Sequence, residues 1–391
     1  MPKLNLVPKM STEFSLGQLT DSFQDLSIET FLTGDQSWTS QQADLDQQVA
    51  ENLSNEDLDA LSLSECLLTS AQFQIEAYSS STLVQKTSIF GLGSGLDFNV
   101  DVSQLPTGEL VAAKRVNLFT SLSRKNGSTV SDLSRRVRKV LQEIRILKHP
   151  PLESCESIIR LLGMSWEDVN GEFTTPSLVF EYAEFGTLRQ YLSRLSSPLS
   201  TTEKHPLGLQ VGRALLALHG CGVCHGDVKL DNVLILGSPL GKPIAKLADF
   251  GSSIIIQPGD SQRTYWGTEV YNAPELRSSQ DKQSGSTIST TLLFACDVFS
   301  FGMLLYEIIH DGIPYWKSHG IKEPTIEIAL KSSSFAECGD VGSEETAVAL
   351  LRQAVILCLK EQPEQRNDLV PILEAMTGES ENLFGKLKPN S

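Results

Sequence analysis

The sequence predicts an α+β fold with two lobes: a small antiparallel β-sheet lobe with one main helix, and a larger, mostly α-helical lobe. Two observations support this prediction. Between residues 88 and 182, short β-branched and apolar runs alternate with turn residues around a single amphipathic segment. After residue 200, apolar side chains recur at helical spacing in several long segments. A chain that changes from strands to helices in this way is expected to form two packed units with a cleft between them.

An acidic segment, residues 1–82, precedes the first lobe and is rich in Ser, Thr, Gln, Asp and Glu. Residues 1–80 contain 13 acidic residues against 2 basic ones, so they carry most of the formal net charge of −16. Negative charge combined with few aromatic residues predicts disorder, or folding only on a partner. We therefore expect a solvated tail, with a docking or regulatory arm as the alternative.

The overall composition argues against several classes of function. The chain has 391 residues, of which 40% are hydrophobic, which is enough for a substantial core. Its negative charge argues against general binding to nucleic acid, whose phosphates would repel it. The most apolar stretch, residues 292–309, contains Asp297 and Glu307, which predicts a core helix and no membrane span. Seven scattered cysteines and the lack of a visible secretory signal predict a reducing compartment, the cytoplasm, with the nucleus left open.

The first lobe is expected over residues 83–182, and its elements follow from local patterns. Residues 89–95 are typical of a strand that runs into a Gly-rich turn, and residues 110–116 of a β-branched strand around one lysine. Residues 132–147 are predicted to be the main helix, because Leu, Val and Ile recur there every three to four positions. Residues 177–182 are predicted to form a further strand.

The second lobe is expected over residues 184–376, followed by a C-terminal tail, residues 377–391. Short strands at residues 232–236 and 245–247 flank a turn that contains Gly and Pro. Helices are predicted where apolar side chains recur at helical intervals, at residues 207–219, 295–309 and 347–359.

Four short motifs carry the residue types that phosphoryl transfer needs. The reaction requires a backbone cradle for phosphates, a fixed cation, oxygen ligands for magnesium and a carboxylate aimed at the attacking hydroxyl. The motifs are Val111-Ala112-Ala113-Lys114, His225-Gly226-Asp227-Val228-Lys229-Leu230-Asp231-Asn232, Asp249-Phe250-Gly251 and Ala273-Pro274-Glu275. In this order they resemble the signature set of the eukaryotic-type protein kinase family, over roughly residues 83–376.

The resemblance implies a protein-kinase-like fold and an enzyme that transfers a phosphoryl group from ATP to Ser or Thr of a protein substrate. It implies that Asp227 is the catalytic aspartate, which orients the substrate hydroxyl. Lys229 would neutralise charge on the moving phosphoryl group. The family's usual arginine is replaced by Gly226, which implies that activity does not depend on pairing with a phosphorylated activation loop.

The same resemblance assigns the groups that hold ATP and Mg²⁺. Lys114 would pair with the α- and β-phosphates and with Glu143 on the following helix. Asn232 and Asp249 would supply oxygen ligands to magnesium, which fills its remaining positions with water and nucleotide.

The Gly-rich segment departs from the family pattern. Aligning Gly93 and Gly95 with the family's first two glycines puts Phe98 at the third and Val100 above the adenine. The alternative alignment takes Gly91 and Gly93 as the first two glycines. We prefer the first alignment because it places the apolar Val100 above the adenine. The other residues implied for nucleotide binding are Ala112, Phe180, Glu181, Ala183, Leu234 and Ala248.

A further set of residues is implied to act structurally or in regulation. Thr268 together with Lys229 is the pattern of serine/threonine kinases, and Glu275 with Arg366 resembles the ion pair that braces the helical lobe. Asp297 resembles the central-helix aspartate that holds the catalytic loop. The full set is His225, Phe250, Gly251, Thr268, Glu275, Asp297 and Arg366.

Two alternatives stay open at this point. A small-molecule phosphotransferase of related fold often carries a similar His-Gly-Asp-x-x-x-x-Asn run, but usually lacks the Asp-Phe-Gly and Ala-Pro-Glu motifs that this chain has. A pseudokinase that serves as a binding module is disfavoured by the presence of Lys114, Asp227, Asn232 and Asp249. The irregular Gly-rich segment keeps the pseudokinase alternative open.

Overall fold

The computed structural model describes ten stretches of the chain. Gly95 and Gly91 lie outside the described residues, as do residues 1–54 and 378–391. The stretches are residues 55–79, 81–85, 93–94, 97–116, 129–169, 173–238, 241–277, 286–314, 343–366 and 368–377.

The N-terminal lobe is built on a seven-stranded sheet with the strand order β1-β6-β7-β5-β4-β2, and β3 pairs with β4. The pairing is antiparallel except between β1 and β6, which are parallel. Its strands are β1 (Ala77–Ser79), β2 (Val84–Gln85), β3 (Gly93–Ser94), β4 (Phe98–Gln104), β5 (Leu110–Val116), β6 (Leu161–Val169) and β7 (Phe173–Glu181). The strand predicted at residues 110–116 is β5, and the strand predicted at 177–182 is the second half of β7.

Strand β5 is buried on both faces because alternate residues enter two different clusters. Val111 packs with Leu83, Leu105 and Val179 on the outer face. Ala112 and its alternating neighbours face the inner cluster that continues into the second lobe. A strand that is covered on both faces has a nearly continuous apolar sequence. Because a lysine is rarely buried unless it is paired, the one lysine in this strand is expected to have a specific partner.

The main helix of this lobe, α2 (Thr129–Leu147), covers the inner face of the sheet and is followed by the short α3 (Pro150–Glu153). Its inner side buries Val137, Val140 and Ile144, as the helical spacing of these residues predicts. The opposite side carries exposed arginines.

A helix outside the predicted lobe packs on α2. The structure describes α1 (Asn55–Gln72), with Cys66 fully buried and Glu65 paired to Arg145 of α2 at 2.5 Å. The prediction of disorder through residue 82 is therefore wrong for residues 55–79. The inner face of α1 is made of small and polar side chains such as Ser62 and Thr69, so its sequence lacks the strong apolar stripe of a core helix.

Strand β1 then adds to the edge of the sheet next to β6. The N–H of Met164 donates to the carbonyl of Glu76 at 2.9 Å. A Cβ at Gly163 would lie 2.5 Å from that carbonyl and 2.5 Å from the ring of Tyr78. Gly163 thus makes room for the N-terminal segment, which is an integral part of this lobe.

The C-terminal lobe is mainly helical, as predicted. The central helix α7 (Leu293–Ile309) lies in the stretch Thr290–Ile309, which is long and apolar enough to cross a membrane by length and composition. However, 83% of the most apolar 18-residue part of this stretch is buried inside the protein. A buried apolar helix of this kind is the core of the lobe. The helices are α4 (Leu188–Arg194), α5 (Thr201–Gly220), α6 (Pro274–Arg277), α7 (Leu293–Ile309), α8 (Ser343–Cys358) and α9 (Leu369–Thr377).

Among the described residues, three short antiparallel pairs follow the N-terminal sheet in the chain. β9 (Val233–Gly237) pairs with β10 (Pro243–Leu247), and β8 (Val223–Cys224) with β11 (Ile254–Ile255). A third pair joins β12 to β13. Their bounds are Gln262–Tyr265 for β12 and Ser286–Ser289 for β13. These pairs hold the loops that carry the candidate catalytic residues.

Candidate active site

Lys114 points from β5 into the cleft and is bound by two carboxylates. Its Nζ donates to Oε2 and Oε1 of Glu143 at 2.8 and 3.1 Å, and to Oδ1 of Asp249 at 2.9 Å. Lys114 is 8% exposed and Glu143 is 1% exposed. Burial alone would lower the pKa of Lys114, but Asp249 and Glu143 outweigh it and hold that pKa above its ordinary value. The cleft therefore contains a permanently charged cation in a fixed position.

Asp249 sits in a strained backbone conformation at the start of the loop after β10. Its φ of 64° and ψ of 78° are in the left-handed region, which non-glycine residues rarely adopt outside functional sites. The next residue, Phe250, is fully buried and packs edge-on against His225, with ring centroids 5.3 Å apart. Lys114 lowers the pKa of Asp249 to about 2. The carboxylate is therefore ionised at neutral pH and keeps its direction toward the cleft.

Asp227 is bracketed by three side chains. Lys229 donates from Nζ to Oδ2 at 2.5 Å, and Asn232 donates from Nδ2 to the same oxygen at 3.0 Å. Thr268 donates from Oγ1 to Oδ1 at 2.7 Å and accepts from Nζ of Lys229 at 2.9 Å. These contacts fix the orientation of the carboxylate before any ligand binds.

The loop of residues 225–232, which resembles the catalytic loop of protein kinases, is attached to the central helix α7 through Asp297. The backbone N–H groups of His225 and Gly226 donate to its two oxygens at 2.6 and 3.0 Å, and Nε2 of His219 lies 3.1 Å from Oδ2. Burial alone would raise the pKa of Asp297, but His219, His225 and the Gly226 N–H outweigh it and lower that pKa. A fully buried carboxylate with this many donors is a rigid anchor for the loop.

Gly226 adopts a conformation that suits glycine. Its φ is 79°, and a Cβ would lie 2.4 Å from the carbonyl oxygen of Ser252. The loop after Phe250 therefore packs directly against the backbone of the catalytic loop. The hydroxyl of Ser253 adds a bond to the carbonyl of His225 at 3.0 Å.

The apolar residues predicted to contact the adenine belong to one hydrophobic cluster, which contains residues of both lobes. Ala112, Phe180, Ala183 and Ala248 are buried in it, and Val100 and Leu234 pack against it half-buried. Glu181 ends β7, and its side chain bonds to Lys246 and to the N–H of Arg160 at 2.6 and 2.8 Å. Gly93 lies in β3 opposite Val100.

The predicted brace of the helical lobe is formed by Glu275 and Arg366. Nη2 of Arg366 donates to both carboxylate oxygens at 2.8 and 2.7 Å, and the guanidinium lies 5.2 Å from the ring centroid of Phe299. Arg366 is 1% exposed. This arginine thus joins the end of the loop that contains Thr268 to the base of the lobe.

A family comparison agrees with this geometry. The family model described as the protein kinase domain matches residues 91–377, nearly three quarters of the chain. The chain belongs to the protein kinase family. The two-lobed α+β fold predicted from the sequence is thereby confirmed. Membership implies ATP as the substrate that donates the phosphoryl group and a protein as its acceptor.

Individual kinases match the chain over part of their length. A probable serine/threonine-protein kinase of Dictyostelium discoideum is 32% identical over 179 residues, which cover 46% of this chain and 26% of that protein. The glycogen synthase kinase-3 homolog YGK3 of Saccharomyces cerevisiae is 30% identical, with 53% and 51% covered. Mitogen-activated protein kinase kinase 9 of Arabidopsis thaliana is 27% identical, with 59% and 64% covered. The chain therefore spans less than two thirds of each of these relatives.

Asp97, directly before strand β4, is a charged residue whose contacts the sequence does not predict. Its carboxylate accepts from Arg135, Arg136 and Lys139 of α2, at 2.8, 3.3 and 2.7 Å. Burial alone would raise the pKa of Asp97, but Arg135 and Lys139 outweigh it and hold it at about 2. The dense run of cations at residues 135–139 was the available signal in the sequence, although it does not reveal which acid it binds.

Arg189 of α4 is a second missed residue. Its guanidinium donates to Asp231 at 2.8 Å, to Oε2 of Glu307 at 3.0 Å, to the hydroxyl of Tyr271 at 2.7 Å and to the carbonyl of Gly312 at 3.2 Å. It therefore joins the catalytic loop, the central helix and the end of residues 249–275, the stretch that corresponds to the activation segment of the family. No local motif marks it, because its four partners are far away in the sequence.

Proposed function

We propose that this chain is an active protein kinase that transfers the γ-phosphoryl group of Mg²⁺-ATP to serine or threonine hydroxyls. The observation that carries the proposal is the set of contacts around Asp227. Its carboxylate accepts hydrogen bonds from Lys229, Thr268 and Asn232 and lies on a loop that is anchored to the central helix. A positioned acceptor of this kind is what in-line attack by a hydroxyl needs.

The reaction assigns a separate task to each group. Asp227 accepts a hydrogen bond from the substrate hydroxyl and directs its oxygen toward phosphorus. Lys229, which already lies against Asp227, offers positive charge to the phosphoryl oxygens as they move. Lys114, held by Glu143, pairs with the phosphates that stay behind on the nucleotide.

The donor set fits magnesium. Asp249 presents a half-exposed carboxylate toward the cleft, and its pKa of about 2 keeps it deprotonated. Asn232 uses its Nδ2 to bind Asp227, so its amide oxygen is the atom that would face a cation. Carboxylate and amide oxygens suit Mg²⁺. When bound, the ion would neutralise charge on the β- and γ-phosphates.

The contact between Lys229 and Thr268 supports serine and threonine as acceptors. Both side chains touch Asp227 and each other, so they narrow the space in front of the carboxylate. A narrow approach suits a slim aliphatic hydroxyl better than the broad aromatic ring of tyrosine. The Dictyostelium discoideum relative named as a probable serine/threonine-protein kinase favours the same acceptor.

The direct test is phosphate transfer by the purified chain with Mg²⁺-ATP. Wild type is expected to label Ser and Thr in a generic protein substrate, with little label on Tyr. Asp227→Asn keeps the shape of the side chain but removes the acceptor charge, so transfer should be lost. Equal incorporation by wild type and Asp227→Asn would contradict the proposal.

A pseudokinase is the second candidate, and one observation favours it. The ring of Phe98 lies over Lys114, with its centroid 4.8 Å from Nζ, at the position where phosphates are expected. A binding module of this kind would show no transfer in the assay above. Nucleotide binding by such a protein would be weak or absent.

A further inference from the structure

The position of Phe98 follows from strand register. Strands β4 and β5 are antiparallel, with Phe98 opposite Val116 and Val100 opposite Lys114. Alternate residues of a strand point to the same face, and directly paired residues share a face. Phe98, Val100 and Lys114 therefore all face the cleft. The distance of 4.8 Å between Nζ of Lys114 and the ring centroid is a consequence of this register.

The ring occupies space that a phosphate would need. Lys114 is 8% exposed, and Glu143 and Asp249 bind Nζ at 2.8 and 2.9 Å. A cation within about 6 Å of an aromatic centroid is attracted to the face of the ring. Phe98 also stands where the family has its third glycine, a residue without a side chain that lets the backbone approach phosphate oxygens.

Asp97 holds the backbone that carries the ring. The residue directly before Phe98 is bound by three cations of α2, of which Arg136 is 3% exposed. The same helix carries Glu143, which binds Lys114. The start of β4, the helix and the lysine are therefore linked by charge contacts. These contacts hold the backbone of Phe98 beside Lys114, and rotation of its side chain is the movement that would take the ring away.

We propose that Phe98 is a gate on the nucleotide site: its ring blocks the approach of the α- and β-phosphates to Lys114, and binding requires the ring to move aside. This inference rests on the proposed function, because it takes Lys114 as the group that receives those phosphates. The contrary possibility is that the ring folds over bound phosphates as a lid, in which case it would strengthen binding.

The test is titration of the full-length chain with Mg²⁺-ADP, which has the α- and β-phosphates but is not turned over. Phe98→Gly removes the ring. Asn99→Gly is the matched control, since it introduces the same backbone freedom one residue further along β4, on the opposite face. The Kd of Phe98→Gly is expected to be about threefold to thirtyfold lower than that of Asn99→Gly, the range that corresponds to losing one cation–π contact. Phe98→Tyr keeps the ring and should bind like wild type.

Each outcome has a defined meaning. If wild type binds and Phe98→Gly binds no more tightly than Asn99→Gly, the gate is wrong and the proposed function stands. Weaker binding by Phe98→Gly would identify the ring as a lid and overturn the gate. If no variant binds Mg²⁺-ADP, both the gate and the proposed function fail. Binding by Phe98→Gly alone supports the gate and places the wild-type chain in the closed state.

Discussion

Thr268 Oγ1 lies 2.7 Å from Oδ1 of Asp227 and 2.9 Å from Nζ of Lys229, so one hydroxyl donates to the candidate base and accepts from its neighbouring cation. Thr268 belongs to the end of the activation segment, whereas Asp227 and Lys229 belong to the catalytic loop. The contact means that the carboxylate has its full set of partners only when the activation segment is in place. Asp227 is therefore fully oriented only when the activation segment holds Thr268 in this position.

Thr268→Ala is expected to reduce kcat. The substitution leaves a charged carboxylate oxygen without one of its donors, and a hydrogen bond to a charged group contributes about 1.5–3 kcal/mol. The loss corresponds to roughly a tenfold to hundredfold lower rate. Thr268→Ser keeps the hydroxyl and should retain most of the activity. Steady-state kinetics with one Ser-containing peptide would measure kcat for both variants. Equal kcat for Thr268→Ala and Thr268→Ser would contradict the expectation.

The parts of the site that could be predicted are those joined by short, ordered motifs. The motifs that contain Lys114, Asp227, Asn232 and Asp249 predict their roles through the resemblance to the kinase family. The structure joins Lys114 to Asp249 and Asn232 to Asp227. The resemblance also implies Glu143 as the partner of Lys114, because it lies on the following helix among core-facing residues, and its carboxylate is 2.8 Å from Nζ of Lys114. These residues can be predicted from sequence because each lies in a short segment whose backbone shape is determined by a few neighbouring residues.

The residues that escaped prediction depend on partners far away in sequence. Asp97 finds three cations on α2, and Arg189 joins segments more than a hundred residues apart. The helix that buries Cys66 was missed for another reason: its composition is that of a solvated acidic segment, and only packing against α2 makes it stable. Local pattern carries no information on such long-range contacts.

Asp97→Asn should destabilise the chain in a pH-dependent way. The pKa of Asp97 falls from its usual value near 4 to about 2 in the folded protein, so its carboxylate stabilises the fold at neutral pH. A shift of this size corresponds to about 2 kcal/mol. Because the folded pKa is the lower one, this contribution is present above about pH 5 and is lost as the pH falls toward 2.

Urea unfolding at several pH values would measure this effect. The difference in unfolding free energy between wild type and Asp97→Asn should be largest near pH 7 and should shrink below about pH 4. Asp101→Asn on the same strand is a suitable comparison, since Asp101 pairs only with Arg115 among the ion pairs described, at 3.3 Å. A pH-independent difference for Asp97→Asn would contradict the role of its charge.

Arg189→Met should lower stability by about 3 kcal/mol, because it leaves the buried carboxylate of Glu307 without its cation. Arg194→Met is the matched control: Arg194 lies on the same helix α4 but is exposed, so its loss should cost less than about 0.5 kcal/mol. Denaturant midpoints of the three proteins would test this. Similar midpoints for both variants would show that the four contacts of Arg189 do not support the fold.

Cys66→Asp should detach α1 from α2. Cys66 is fully buried in the cluster, so a carboxylate there loses its hydration without gaining a cation, at a cost of about 3 kcal/mol or more. Leu68→Asp is the control, since Leu68 is 56% exposed on the same helix. Amide hydrogen exchange should become faster in α2 for Cys66→Asp only. Unchanged exchange in α2 would mean that α1 does not brace it.

Dephosphorylation should leave the activity largely unchanged, because the activation segment is held by contacts that need no phosphate. β12 pairs with β13, with Thr264 opposite Thr287, and the hydroxyl of the buried Tyr265 lies 3.5 Å from Asp297. Gly226 offers no side-chain cation for a phosphate to bind.

Two measurements separate pairing from phosphorylation as the cause of order in this segment. Treatment of the purified chain with a broad-specificity phosphatase should preserve phosphate transfer. Thr287→Pro, which removes a backbone donor from β13, should lower it strongly, whereas Thr287→Val keeps the strand and should not. A large loss of activity on dephosphorylation, with Thr287→Pro still active, would mean that a phosphate and not the β12–β13 pair orders the segment.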